Sequence, residues 1–248
     1  MSKADVSQII KQAYQDQKKL LAVLIDPDKP GSKAIKNLCH LAEQGGADLI
    51  FVGGSLLTKD NLEACLAEIR QHSSLPILLF PGSVLQVSDL ADGILFLSLI
   101  SGRNPDLLIG NQVIAAPYLK QSQLDILPTA YMLVDCGKTT TAIYMSNSQP
   151  IPYDKSEIAA CTAMAGEMLG LQFFYLDGGS GAQQTVSAEM ISQVRASIDK
   201  PIILGGGIRT AAKAKELAQA GADVIVVGNL FESNPEALPE IAAAIKSI

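Results

Sequence analysis

Eight short apolar runs, separated by stretches of helical period, predict an α/β fold, and three observations close its parallel sheet into a (β/α)8 TIM barrel. The runs are near-continuously apolar, as strands are when helices cover both faces of a sheet. Eight strand–helix units fill 248 residues, a length at which such barrels are commonly one domain. An open doubly wound sheet would need an edge strand, and no G-x-G-x-x-G follows the first run to support one.

Taken in order, Ala4 to Gln17 reads as a short polar helix ahead of the barrel. The strands are Leu20–Ile25, Asp48–Val52, Pro76–Phe80, Gly93–Leu97, Thr129–Val134, Gln172–Leu176, Pro201–Leu204 and Asp223–Val227. Helical period fills Ser32–Gln44, Lys59–Gln71, Pro105–Leu119, Lys155–Leu169, Ser187–Ser197 and Thr210–Ala220. The segment Gly82 to Asp92 is too short for a crossover helix, so the barrel has a shortened connection after strand three. A long polar link, Cys136 to Asp154, follows strand five. Two turns, Gln44–Asp48 and Gln219–Asp223, share a glycine at the helix end and an Ala-Asp entering the next strand. They fall on the stability face of a barrel and carry no function. With no linker and no low-complexity segment, residues 1–248 read as one domain.

Composition narrows the function. Net charge is −6, so a basic nucleic-acid footprint is absent, and an anionic substrate must be held by local features. Cys39, Cys65, Cys136 and Cys161 form no C-x-x-C pair, which points to free thiols in a reducing compartment. His40 and His72 fall at or near helix ends and give no reason to be catalysts. The first nineteen residues lack a signal peptide's apolar core, and no apolar run approaches the roughly 18 residues of a transmembrane segment. A soluble, cytoplasmic protein is expected.

Barrel chemistry sits where strands end. Strand one ends at Asp26, with Pro27 and Pro30 stiffening its exit. A carboxylate there suits Mg²⁺, which takes one or two carboxylates plus substrate oxygens; Asp28 and Lys29 read equally well as a surface turn pair. Strand two ends in Gly53-Gly54-Ser55, whose hydroxyl can reach a phosphate or a metal, while Thr58 is the better-placed helix cap. Strand three ends in Phe80-Pro81-Gly82-Ser83. Strand six ends in Tyr175-Leu176-Asp177-Gly178-Gly179-Ser180-Gly181-Ala182, a carboxylate followed by a glycine-rich turn that can point amides at an anion. Strands seven and eight end in Gly205-Gly206-Gly207 and Gly228-Asn229, with Thr210 capping the helix beyond. A tight turn with no ligand explains any one of these loops. Three in succession around one point predict a phosphorylated small substrate.

These residues resemble the geranylgeranylglyceryl phosphate synthase family nearly end to end. The glycine turns are shared by many phosphate barrels. The runs Leu97–Pro105 and Ser146–Pro152 are more specific and are similar to the larger of the family's two sequence groups. The resemblance implies Mg²⁺ on Asp26 and Ser55, meeting a long-chain prenyl diphosphate. It implies sn-glycerol 1-phosphate on Tyr175 to Gly181, on Gly206-Gly207 and on Gly228-Asn229. It also implies an apolar slot for the prenyl chain beside the shortened third connection, a homo-oligomer, and a product that passes to the membrane. One position departs: the family usually has Glu where this chain has Asp177, one methylene shorter.

The reaction so implied is transfer of a geranylgeranyl group to the C3 hydroxyl of sn-glycerol 1-phosphate, with diphosphate leaving. Asp177 is the candidate acceptor of the hydroxyl proton, or orients the hydroxyl. With an ordinary pKa of about 4 it would be a weak base that takes the proton late. Tyr175 orients the substrate or faces the developing cation, and inward packing is an equally good reading. Two other readings stand beside this one: an isomerase or synthase of a sugar phosphate, which needs no apolar slot, and a barrel that binds prenyl or glycerol phosphates without turnover.

Overall fold

The apolar runs form eight parallel strands that pair in chain order and close, β8 onto β1. They are β1 (Leu20–Ile25), β2 (Leu49–Val52), β3 (Ile77–Leu79), β4 (Gly93–Leu99), β5 (Asp125–Leu133), β6 (Phe173–Asp177), β7 (Ile202–Gly205) and β8 (Val224–Val227). This computed structural model describes residues 3–29 and 31–248. Pro30, the second proline of the strand-one exit, lies outside the described residues.

Successive side chains on a strand point to opposite faces, and the barrel uses that rule strictly. Leu20, Ala22, Leu49, Phe51, Leu78, Leu95, Leu127, Phe173, Tyr175, Ile203, Val224 and Val226 fill the interior. The residues between them, such as Leu21, Val23, Ile50, Phe174, Leu176, Leu204 and Ile225, pack against the surrounding helices. Both faces are covered, which is why β2, β7 and β8 are buried along their whole length.

The helices are α1 (Val6–Gln15), α2 (Ser32–Gln44), α3 (Leu62–His72), α4 (Asn111–Gln121), α5 (Thr141–Ser146), α6 (Ser156–Met168), α7 (Ala188–Arg195), α8 (Ala211–Gln219), α9 (Asn229–Ser233) and α10 (Leu238–Lys246). α1 is more than a polar leader. Its buried stripe, Val6, Ile10 and Ala13, joins the interior cluster and plugs the N-terminal mouth of the barrel. No helix among the described residues is long and apolar enough to cross a membrane.

Several boundaries differ from expectation. β5 begins at Asp125 rather than Thr129, because it pairs with β4 from Asp125 opposite Gly93 onward, and Pro128 still accepts from the Gln172 amide at 3.0 Å. α3 starts at Leu62, and Thr58 does not cap it; its amide and hydroxyl instead both donate to Asp28 Oδ2. A π-helical turn, Asp106–Gly110, precedes α4. The polar link after β5 holds α5 and returns to bridge Ile151 to Val134.

The N-terminal face is tied by aspartates at the strand entries. Asp48, Asp92 and Asp223 accept from the amides of Leu21, Ile77 and Ile202 at 2.7–2.8 Å. Each also meets a cation: Lys246, Arg70, and for Asp223 both Arg195 and Lys19. At the opposite face the β3–β4 seam is brief. It pairs only Leu78 with Gly93 and Leu79 with Ile94, whereas β4 and β5 share seven pairs. No helix spans the connection between them, so the slot opens there.

Candidate active site

The inward residues at the C-terminal strand ends surround a cavity of about 740 Å³. Asp26, Ser55, Tyr175, Asp177, Ser180, Gly181, Gly206, Gly207, Gly228 and Asn229 all line it. Leu176, Gly178 and Gly179, expected at the site, do not. Leu176 has the outward parity and packs among the helices, and the two glycines are buried beneath the loop surface.

Asp177 closes β6 with its side chain directed into the barrel and 7% exposed. Oδ1 accepts from the Gly179 amide at 2.7 Å, and Oδ2 accepts from Tyr131 Oη at 2.6 Å. Burial pushes the Asp177 carboxyl above its ordinary range; the two hydrogen bonds oppose that shift. Asp177 is therefore a stronger base than the sequence suggested. Burial and the adjacent carboxylate hold Tyr131 and Tyr175 well above the usual phenol value.

Tyr131, on β5, was absent from the sequence candidates. Its parity, shared with Leu127 and Thr129, is the signal that turns it inward. Phe80, Tyr131 and Tyr175 form one aromatic wall. Phe80 stacks on Tyr175 with centroids 4.7 Å apart, and Tyr131 meets each ring edge-on at 5.8 Å. Room for Tyr175 comes from Gly205, where an added Cβ would fall 2.4 Å from Oη.

Two of the expected phosphate donors are already used. The Gly178 amide donates to the Gly205 carbonyl at 3.1 Å, and that of Gly179 to Asp177. It is the outer part of the turns that lines the cavity. Gly181, Gly206 and Gly207 have φ of +74°, +92° and +74°, a region open to glycine at no steric cost. An added Cβ at Gly206 would also sit 2.8 Å from the Gly179 nitrogen. Ser180 Oγ donates to Asn229 Oδ1 at 3.1 Å, joining the β6 and β8 loops. Arg209 donates to the carbonyls of Ala182 and Gln183, fastening the β7 loop to β6. Backbone amides gathered in such a concavity favour an anion.

Across the cavity, Asp26 and Ser55 share the mouth. Asp26 Oδ1 accepts from the Asp28 amide and lies 3.3 Å from where a Cβ on Gly54 would stand. One carboxylate and one hydroxyl suit Mg²⁺, which completes its shell with phosphate oxygens and water. No group of three or more His, Cys, Asp and Glu that could hold a metal ion is present among the described residues. Lys29 is more than a surface turn residue: it lines the cavity, 2.9 Å from Glu232 and 3.6 Å from Asp26.

From this polar end the cavity runs into an apolar slot beside β4. Val84 and Val87 of the short connection form one side, and Leu107, Ala115 and Leu119 the other. Gln112 seals the unpaired edge of β4 by donating to the Leu97 carbonyl, and to that of Leu107 at 3.1 Å.

Comparison with known proteins agrees with this geometry. Residues 13–245 match the profile of the PcrB family. The geranylgeranylglyceryl phosphate synthase of Spirosoma linguale is 53% identical over 92% of each chain. That of Korarchaeum cryptofilum is 43% identical over 93% of this chain and 96% of its own. Among solved structures, (S)-3-O-geranylgeranylglyceryl phosphate synthase from Thermoplasma acidophilum, in complex with its substrate sn-glycerol-1-phosphate, superposes with a TM-score of 0.93 at 33% identity, over the whole of both chains. Tryptophan synthase from Mycobacterium tuberculosis, at 18% identity and a TM-score of 0.60, shares the fold alone.

Proposed function

The chain belongs to the PcrB family, and on that premise we propose that it is a prenyltransferase joining geranylgeranyl diphosphate to the C3 hydroxyl of sn-glycerol 1-phosphate. The observation that carries this reading is one cavity holding both a glycine-turn cradle and an apolar slot, which meet at Asp177. A sugar-phosphate substrate would fill the cradle and leave the slot without a purpose.

The remaining amides of the β6 loop at Ser180 and Gly181, with Gly206-Gly207 and Gly228-Asn229, bind the phosphate of the acceptor. That fixes the glycerol end, so its hydroxyl lies near Asp177. Asp26 and Ser55 would hold Mg²⁺, which when bound neutralises charge on the departing diphosphate. As the allylic carbon leaves its diphosphate, the glycerol oxygen bonds to it, and Asp177 takes up a proton to balance the one that the hydroxyl loses. Burial makes this carboxylate more basic, which brings its proton affinity closer to what a base needs near neutrality. The slot excludes water from the prenyl chain and aligns its first carbon; positioning of the two substrates supplies much of the acceleration. The family resemblance implies a homo-oligomer, and the exposed apolar residues Ile109, Val113, Ile114 and Tyr118 support self-association.

Mixing the protein with geranylgeranyl diphosphate, sn-glycerol 1-phosphate and Mg²⁺ should give geranylgeranylglyceryl phosphate by mass spectrometry. Chelation of the metal should abolish product while glycerol phosphate binding persists. No product, with neither substrate bound, overturns the reading.

A further inference from the structure

We propose that Tyr131 is the catalytic group that touches the acceptor hydroxyl, and that Asp177 receives the proton through it. The proposal rests on the transferase reading above and deepens it.

Strand order places Tyr131 at the junction of the two half-sites. β4 forms the wall of the apolar slot, β6 to β8 carry the phosphate cradle, and β5 lies between them. The acceptor oxygen, tethered from the cradle, and the first prenyl carbon, delivered by the slot, must meet over β5. Tyr131 is the inward polar side chain there: it lines the cavity, remains partly exposed to it, and pairs in register with Leu99 on one side and Tyr175 on the other.

The hydrogen bonds assign the direction of transfer. Asp177 is held at both oxygens, by the Gly179 amide at 2.7 Å and by Tyr131 Oη at 2.6 Å. A phenol has one proton and two acceptor lone pairs. With that proton committed to Asp177, the lone pairs of Oη are what Tyr131 can present to a substrate hydroxyl. Edge-on contacts with Phe80 and Tyr175 on the same ring hold it in this orientation.

The step balances without a further reactant. The bond from the glycerol oxygen to the allylic carbon forms as the bond from that carbon to diphosphate breaks, the electron pair leaving with diphosphate. The hydroxyl proton passes to Tyr131 Oη while the Tyr131 proton passes to Asp177 Oδ2. No free phenolate is needed, in keeping with a phenol whose burial disfavours ionisation. Asp177 later returns its proton to solvent and Tyr131 resets.

The test compares the wild type with Tyr131→Phe, Asp177→Asn and the double variant. Product formation by the wild type reports on the transferase reading alone, and its absence removes that reading and this one together. With wild-type turnover in hand, Tyr131→Phe should lower kcat about 100-fold, with KM for glycerol 1-phosphate within about threefold. Two groups acting in series are not additive, so the double variant should be no slower than about threefold below the worse single variant. Unchanged kcat, a loss confined to KM, or losses that multiply would each overturn the relay. A second measurement needs no variant. The single-turnover rate of the wild type in mixtures of light and heavy water should bow below a straight line, because both protons move together, and a linear dependence would overturn the proposal even if Tyr131→Phe failed to fold.

Discussion

Gly205→Ala isolates the fit between the barrel and its aromatic wall. An added Cβ would stand 2.4 Å from Tyr175 Oη, 3.2 Å from Cζ and 3.3 Å from Cε1. The first distance is about 1 Å short of an ordinary contact, and Tyr175 has little freedom to yield. It is 1% exposed, stacked on Phe80 and edge-on to Tyr131. Overpacking of this kind costs about 1–3 kcal/mol, which in a domain of this size is a fall in Tm of about 2–12 °C. Removing only the offending oxygen should relieve it, since Tyr175→Phe leaves Cζ as the nearest atom, a few tenths of an ångström too close. Thermal melts of the wild type, both single variants and the double variant form a closed cycle whose coupling term reads the contact. Recovery of most of the loss in the double variant is expected, and turnover should return with it to the Tyr175→Phe level. A double variant as unstable as the sum of its singles would refute the argument, because the strain would then lie elsewhere.

Asp177 should also mark the pH dependence of stability. Burial raises its folded-state pKa above the unfolded value, so its contribution is fully present below about pH 4 and is lost as pH rises through the folded value. Melting points of the wild type should therefore fall relative to Asp177→Asn across that window; a gap that is constant with pH would count against it. On the opposite face, Asp223→Ala leaves Arg195 and Lys19 without their partner and should cost about 3 kcal/mol in urea unfolding. The kcat of the folded fraction should be unchanged; loss of turnover at unaltered stability would contradict the division between the two faces. Thiol labelling should follow burial. Cys39 is pushed up to about 11 and Cys65 and Cys136 to about 12, while Cys161 is exposed. A thiol reagent at neutral pH should thus modify one residue quickly in the native state and all four after denaturation. A second fast thiol would show that the packing has been misread.

The barrel was legible because apolar runs and helical period are local properties. Strand count, strand order and the short third connection followed from them. What escaped was non-local or too short. α5 has six residues, below the length at which a helical period can be read. Pro128 hid the first half of β5, although a parallel strand tolerates proline where another ladder bond survives. In the site, the loop after β6 looks in sequence like one continuous binding stretch. Alternation along the strand splits it, sending Tyr175 and Asp177 inward and Leu176 outward, and the turn then consumes the amides of Gly178 and Gly179 internally. Tyr131 and Asp177 are 46 positions apart, and no spacing rule joins two residues that meet only because β5 and β6 are neighbours.

The plug at the barrel floor orders assembly in time. α1 is synthesised before the strands, yet what it binds is made much later: the Ser7 amide docks on Asp125 and the Ala4 amide on Asp92, 118 and 88 positions downstream. The interior into which Val6 and Ile10 insert also needs β8. α1 is thus satisfied only after ring closure, and until then its apolar stripe is free to bind wrongly. Such long-range closure slows folding. A helix that is mostly polar outside that stripe is a low-risk occupant for the waiting position, and its docking registers that the ring is complete.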